Sequence, residues 1–189
     1  MRYSSTHKQE TRKKLLDSSR AIAKRGGFGS TGIDALMAAI GLTGGTFYSH
    51  FGSKAELFAE ILELELANSS RMLAGTDDED FDRCIRNYLS SWHAQHPESG
   101  CVLPALGAEI ARSSPEVRGI VERSAKGLHS EWQKRLGDSE TAWALLAQCV
   151  GAILLSRVME NEKTRQQVLA SSRHFLGEAI EQLEALRKS

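Results

Sequence analysis

Gly41-Leu42-Thr43-Gly44-Gly45-Thr46-Phe47-Tyr48-Ser49-His50-Phe51-Gly52-Ser53-Lys54 compresses a turn, a very short helix and a polar, partly basic edge into fourteen residues. A helix of about seven residues falls below the roughly twelve to fifteen needed for marginal stability in water, so tertiary packing must hold it. Phe47 and Phe51, four apart, supply that anchor on one face. The other face is left with Thr43, Gly44, Gly45, Thr46, Tyr48, Ser49 and His50. Each glycine inside so short a helix costs about 0.8–1 kcal/mol relative to alanine, which calls for a reason such as close approach to another surface. Together these features read as the recognition element of a helix-turn-helix, with the major groove of double-stranded DNA as that surface.

The flanks agree. A first helix is expected from about His7 to Arg25, with Leu15, Ser18, Ser19 and Ile22 inward and Gly26-Gly27 as its stop. A second, short one carries Ile33, Leu36, Met37 and Ile40 and breaks at Gly41. The Thr43 hydroxyl is expected to cap the third, leaving first-turn N–H groups to meet a phosphate. Ser53 is expected to cap a fourth, with Glu56 as reciprocal partner; about twenty residues long, it spans roughly 30 Å and can join two domains. Tyr48, His50 and Lys54 carry groups suited to phosphate oxygens, and Thr31 can reach the backbone across the groove. Specificity is then assigned to Thr43, Gly44, Gly45, Thr46 and Ser49.

A formal net charge of zero conceals an asymmetry. Residues 1–54 hold nine Lys/Arg against three Asp/Glu, a surplus of six positive charges, and the remaining 15 basic and 21 acidic residues balance it with the opposite sign. Such a split steers a polyanion to one end of the molecule. Three scattered cysteines, Cys84, Cys101 and Cys149, match neither a zinc site nor a disulfide framework. His93 and His96 lack further ligands, and no phosphate loop or serine elbow is present, so neither an enzyme nor a cofactor or metal is expected. No run approaches the eighteen or so apolar residues of a membrane span, and no signal-type segment opens the chain; a cytoplasmic protein with no membrane contact is expected.

Beyond the N-terminal region the chain reads as helix throughout: about nine helices in all, with no strand-like alternation. A helix is expected to run continuously through Phe81, Ile85, Tyr88, Leu89 and Trp92 after an Asp-rich loop at Gly75–Asp80, another from Cys101 to Ala111 disturbed at Pro104, and a third capped by Ser114-Pro115. The last two helices, near Thr141–Val158 and Thr164–Leu186, have apolar arcs wider than one contact requires. They suit an intersubunit four-helix bundle, and hence a homodimer.

Gly27-Phe28, Thr31, Ile33, Leu36, Gly41-Leu42-Thr43, Gly45, Phe47-Tyr48, His50-Phe51, Lys54 and Leu57 resemble, position by position, the N-terminal signature of the TetR/AcrR family of bacterial transcriptional regulators. The resemblance implies an all-α homodimer with a three-helix DNA-binding domain, here residues 1–53, and a larger effector-binding and dimerisation domain, residues 54–189. It implies operator DNA and a small molecule as partners, and repression as the usual outcome. Gly32 departs from the family in standing where many relatives have a Ser or Thr cap, and Ile40 in replacing a small residue.

On the effector side, a cavity is expected between the central helices, lined by Phe58, Leu62, Leu89, Trp92, Leu103, Leu106, Leu128 and Trp132. Its large apolar walls suit a hydrophobic or aromatic molecule, with His93 or Glu109 to orient a polar group. The stretch His96–Cys101 with Leu103–Leu106 is similar to a subgroup of these regulators, some of which sense electrophiles or oxidants through a thiol; Cys101 is the candidate sensor. An architectural DNA-binding protein without an effector is the remaining alternative.

Overall fold

A computed structural model of the chain describes residues 5–74 and 78–188. Among them are nine α-helices, two short 3₁₀ turns and no strand. The helices are α1 (Ser5–Gly26), α2 (Ile33–Ala38), α3 (Lys54–Leu73), α4 (Asp78–Tyr88), α5 (Ser91–Gln95), α6 (Val102–Ala111), α7 (Pro115–Leu136), α8 (Ser139–Arg157) and α9 (Glu162–Lys188). The 3₁₀ turns are Gly44–Ser49 and Pro97–Ser99.

Local chemistry sets most of these boundaries. Gly27, Gly41 and Gly137 adopt φ of +88°, +74° and +79°, the left-handed region that glycine enters without a Cβ penalty, and they terminate α1, α2 and α7. Ser53, Ser90, Ser114 and Asp138 accept from backbone N–H groups at the starts of α3, α5, α7 and α8. Gly32, as its sequence implies, offers α2 no side-chain cap.

Several expectations need correcting. The helix expected to run through Leu89 to Trp92 breaks there, because Ser90 takes the His93 N–H and starts α5 anew. Pro104 causes no disturbance: it lies in the first turn of α6, where its missing N–H has no intrahelical partner to lose. Glu56 reaches back to the N–H of Gly52 (2.8 Å), one residue earlier than a standard capping box. Ser139–Arg157 is long and apolar enough by composition to cross a bilayer, contrary to the sequence expectation; its apolar residues pack instead on α7 and α9 and line an open face. Part of the loop expected at Gly75–Asp80, residues 75–77, lies outside the described residues, and α4 begins at Asp78.

Two apolar clusters form the core. The first joins α1, α2 and the Gly44–Ser49 turn to α3 and α6 through Leu15, Leu36, Phe47, Phe51, Leu57, Phe58, Leu62 and Leu106. It therefore runs past residue 53 without a seam. The second, among α4, α5, α7, α8 and α9, contains Phe81, Leu89, Trp132, Leu145, Ile153 and Leu176.

Candidate nucleic-acid interface and cavity

Phe47 and Phe51 are fully buried, with ring centroids 5.9 Å apart. At about 1.5–3 kcal/mol for each buried side chain, they hold a turn that has no stability of its own. The turn is 3₁₀, and the Thr43 hydroxyl does not cap it; it lies 3.3 Å from the Thr46 hydroxyl instead. Thr43, Gly45, Tyr48 and Ser49 are exposed, Tyr48 to 65%, while Thr31, Gly44, Thr46, His50 and Lys54 are half-buried.

The two glycines differ. A Cβ on Gly44 would lie 1.9 Å from the Asp34 carboxylate of α2, so close packing between α2 and the turn accounts for that glycine. A Cβ on Gly45 would meet nothing within 4 Å. Only Gly45 leaves an unexplained gap in the surface.

Three further side chains are engaged within the protein. Thr31 donates to the Gly27 carbonyl (3.0 Å), Ser49 to the Thr46 carbonyl (2.7 Å), and Lys54 to the Gly29 carbonyl (3.1 Å) while its ammonium sits 4.8 Å from the centre of the Phe28 ring. Burial holds His50 below the ordinary histidine range, reinforced by the nearby charges of Lys8 and Arg12 and by His7. Sequence reasoning missed Arg12. Its guanidinium donates to the His50 carbonyl (3.3 Å), lies over the Phe51 ring and pairs with both oxygens of Glu60 on α3, fixing the far end of the turn.

Glu109 performs an unexpected task. Projecting from α6, it accepts from the N–H groups of Phe28 (3.0 Å) and Gly29 (2.7 Å), clamping the loop between α1 and α2 to the helical body. Phe28 in turn stacks on Phe58 of α3 at 4.6 Å.

Between α1, α3, α4, α5, α7 and α8 lies a cavity of about 520 Å³. Trp92, Leu103, Leu128 and Trp132 line it as expected, with Trp92 at 57% exposure near the opening. Phe58, Leu62, Leu89 and Leu106 do not; they are core residues. His93 lines it, Glu109 does not, and all three cysteines do. The wall also includes Arg20 and Lys24 of α1, opposite Glu65 of α3. No sequence pattern shows which helix meets which, so those two escaped notice. His93 Nδ1 lies 2.5 Å from the Tyr88 carbonyl and Nε2 accepts from the Cys101 N–H (2.9 Å), which fixes the neutral tautomer; burial lowers its pKa accordingly. Burial raises the Cys101 thiol and pushes Cys149 up to about 12.

A braced recognition turn fused to a helical body with an internal cavity defines a class, the helix-turn-helix transcriptional regulators. The model of the bacterial regulatory proteins, tetR family, matches residues 15–61. The HTH-type transcriptional regulator AcrR of Shigella flexneri is 40% identical over 60 residues, which cover 32% of this chain but only 28% of AcrR. The HTH-type transcriptional repressor NemR of Escherichia coli K12 is 22% identical over 187 residues, covering 88% of this chain and 94% of NemR. The reduced form of E. coli NemR shares the fold with a TM-score of 0.72 at 21% identity, over 87% of this chain and 97% of that one. A Saccharomonospora viridis regulator solved in complex with choline gives 0.70 at 15% identity, over 89% and 96%. Residues 15–61 are thus a DNA-binding domain of the TetR/AcrR family of transcriptional regulators, and most of the chain shares the fold of such regulators.

Proposed function

We propose that the chain is a cytoplasmic repressor that binds operator DNA as a homodimer and is released by a small hydrophobic or aromatic effector. Thr43, Gly44, Gly45, Thr46 and Ser49 read the major groove, while Thr31, Tyr48, His50 and Lys54 hold phosphates. Residues 1–53 carry the DNA-reading part and residues 54–189 most of the effector-binding part, to whose wall α1 adds Arg20 and Lys24. The observation that carries the reading is the 520 Å³ cavity whose wall includes α1 itself. An effector there touches the helix that supports the recognition turn. Two turns must meet successive major-groove faces about 34–36 Å apart, so a ligand that favours another setting of α1 and α3 disfavours the DNA-bound state.

Support for dimerisation through α8 and α9 comes from the exposed apolar residues Trp143, Leu154, Leu155, Val158 and Phe175, with open space at Gly151 and Gly177. A purely architectural role would need no such cavity. The thiol alternative has one point in its favour, three cysteines lining one cavity. Raised pKa values keep Cys101 and Cys149 as thiols at neutral pH, whereas the thiolate is the reactive form. The effector reading is preferred on that ground.

The test is to recover bound genomic fragments, then titrate the selected duplex against the purified protein with and without hydrophobic aromatic compounds. Release by compounds that also bind in the cavity supports the proposal. Unchanged operator affinity with a cavity-bound compound refutes the switch.

A further inference from the structure

Lys24 is buried to 5% exposure although it carries a charge. Its ammonium donates to Glu65 Oε2 (2.6 Å) and to the Gly100 carbonyl (3.0 Å). An ammonium has three donors, so one remains on a residue that lines the cavity. Arg20, a turn earlier on α1, pairs with Glu65 Oε1 (2.6 Å) without hydrogen-bond geometry and donates from Nη1 to Asp17 (3.1 Å). Both oxygens of the buried carboxylate therefore face a cation. Glu98, also on the cavity wall, faces Arg25 at 3.4 Å. His93 spends both ring nitrogens on backbone groups. Neutral groups remain on the wall, Tyr88 Oη and Trp132 Nε1 among them, both without a hydrogen-bond partner; the charged groups with donors to spare are Lys24 and Arg20.

We propose that the effector is an amphipathic anion, an aromatic or hydrophobic body ending in a carboxylate or similar oxyanion, which binds Lys24 and Arg20. The proposal rests on the cavity being the effector site and adds the ligand's charge and its point of contact. A carboxylate takes the free donor of Lys24 and competes with Glu65 and Gly100 for the other two; charge-assisted bonds of this kind are roughly twice as strong as neutral ones. An amine of the same shape meets two cations and a carboxylate already engaged. The apolar body rests on Trp92, Leu103 and Trp132. Because Lys24 lies three residues before Gly27, drawing it from Gly100 loosens α1 from the 97–100 turn and moves the loop that Glu109 clamps. Ligand binding therefore acts directly on the DNA-binding part of the chain.

Isothermal titration of the full-length protein with 2-naphthoate, 2-naphthamide and 2-naphthylmethylamine separates charge from shape. Naphthoate is expected to bind at least about tenfold more tightly than the amide, with the amine weakest; tenfold corresponds to about 1.4 kcal/mol. The triple variant Arg20→Met/Lys24→Met/Glu65→Gln removes the buried carboxylate together with both of its cations and leaves none of the three charges stranded. It is expected to bring naphthoate to the level of the amide without changing amide binding, while Lys24→Arg keeps the preference. Naphthoate, and not the amide, is expected to alter hydrogen exchange at residues 24–31. Equal binding of all three, or a preference that survives the triple variant, overturns the anion assignment and leaves the cavity reading standing. Binding by none at millimolar concentration removes the cavity as an effector site, and this proposal with it.

Discussion

Replacing Gly45 with alanine should separate the stability of the protein from its function. Gly45 is not in the left-handed region, and its missing Cβ faces open space with no atom within 4 Å. Alanine fits there without strain and reduces the freedom of the unfolded chain, a gain of about 0.4–1 kcal/mol. For a chain of this size that raises Tm by about 1–4 °C. On DNA the same methyl group occupies the space through which the turn approaches the bases. A loss of at least about tenfold per turn is expected, equivalent to 1.4 kcal/mol, and a dimer carries two turns. The control is Gly44→Ala, whose Cβ falls 1.9 Å from the Asp34 carboxylate. Swinging that side chain aside costs about 0.5–1.5 kcal/mol, which offsets the entropic gain, so its Tm stays level or drops. Thermal melts monitored by circular dichroism and anisotropy titrations of the selected operator measure both quantities. A Gly45→Ala protein that melts higher and binds DNA as tightly as the parent refutes the placement of this glycine against the bases.

Glu109→Gln keeps an acceptor for one of the Phe28 and Gly29 N–H groups but turns an NH2 toward the other, and should cost about 1–3 kcal/mol in urea melts while raising hydrogen exchange at residues 28–31; unchanged exchange contradicts the clamp. Tyr48→Phe should weaken binding evenly across sequences, and Lys54→Ala should do so while lowering the salt slope by about one unit; a loss confined to one operator sequence excludes phosphate contacts. His93 is held below the ordinary histidine pKa of 6.5, so the unfolded chain takes up its proton first and folding stability falls as pH drops below about 6.5. His93→Gln should flatten that slope in melts from pH 7.5 to 5.5, and an unaltered slope assigns it elsewhere. His50, also depressed in the free protein, gains a proton more readily beside a phosphate. Duplex affinity should therefore rise as pH falls through that range, and His50→Ala should remove the rise.

The fold was readable wherever a single residue type does a local job. Gly27 and Gly41 stop helices, Ser53 and Ser114 start them, and Phe47 and Phe51 mark the inward face of a turn too short to survive exposed. Ser90 carried the same capping signal, but the apolar run from Phe81 to Trp92 masked the break. Pro104 was misjudged because its effect depends on its place in the helix: harmful in the interior, harmless in the first turn. The residues around Tyr48 could be named as candidates because they are contiguous in sequence. The cavity was half readable: large apolar residues identify a wall or a core equally well, and Phe58, Leu62, Leu89 and Leu106 went to the core. Glu109, Arg12 and Lys24 act across separations of 81, 38 and 76 residues. Nothing in a helical period specifies such pairings, since they depend on how the helices assemble.

The most direct measurement is the affinity of the purified full-length protein for its selected operator and for a scrambled duplex of equal length, at one stated salt concentration. The operator should bind at least about a thousandfold more tightly. Equal affinity for the two duplexes would mean that the turn braced by Phe47 and Phe51 does not read sequence.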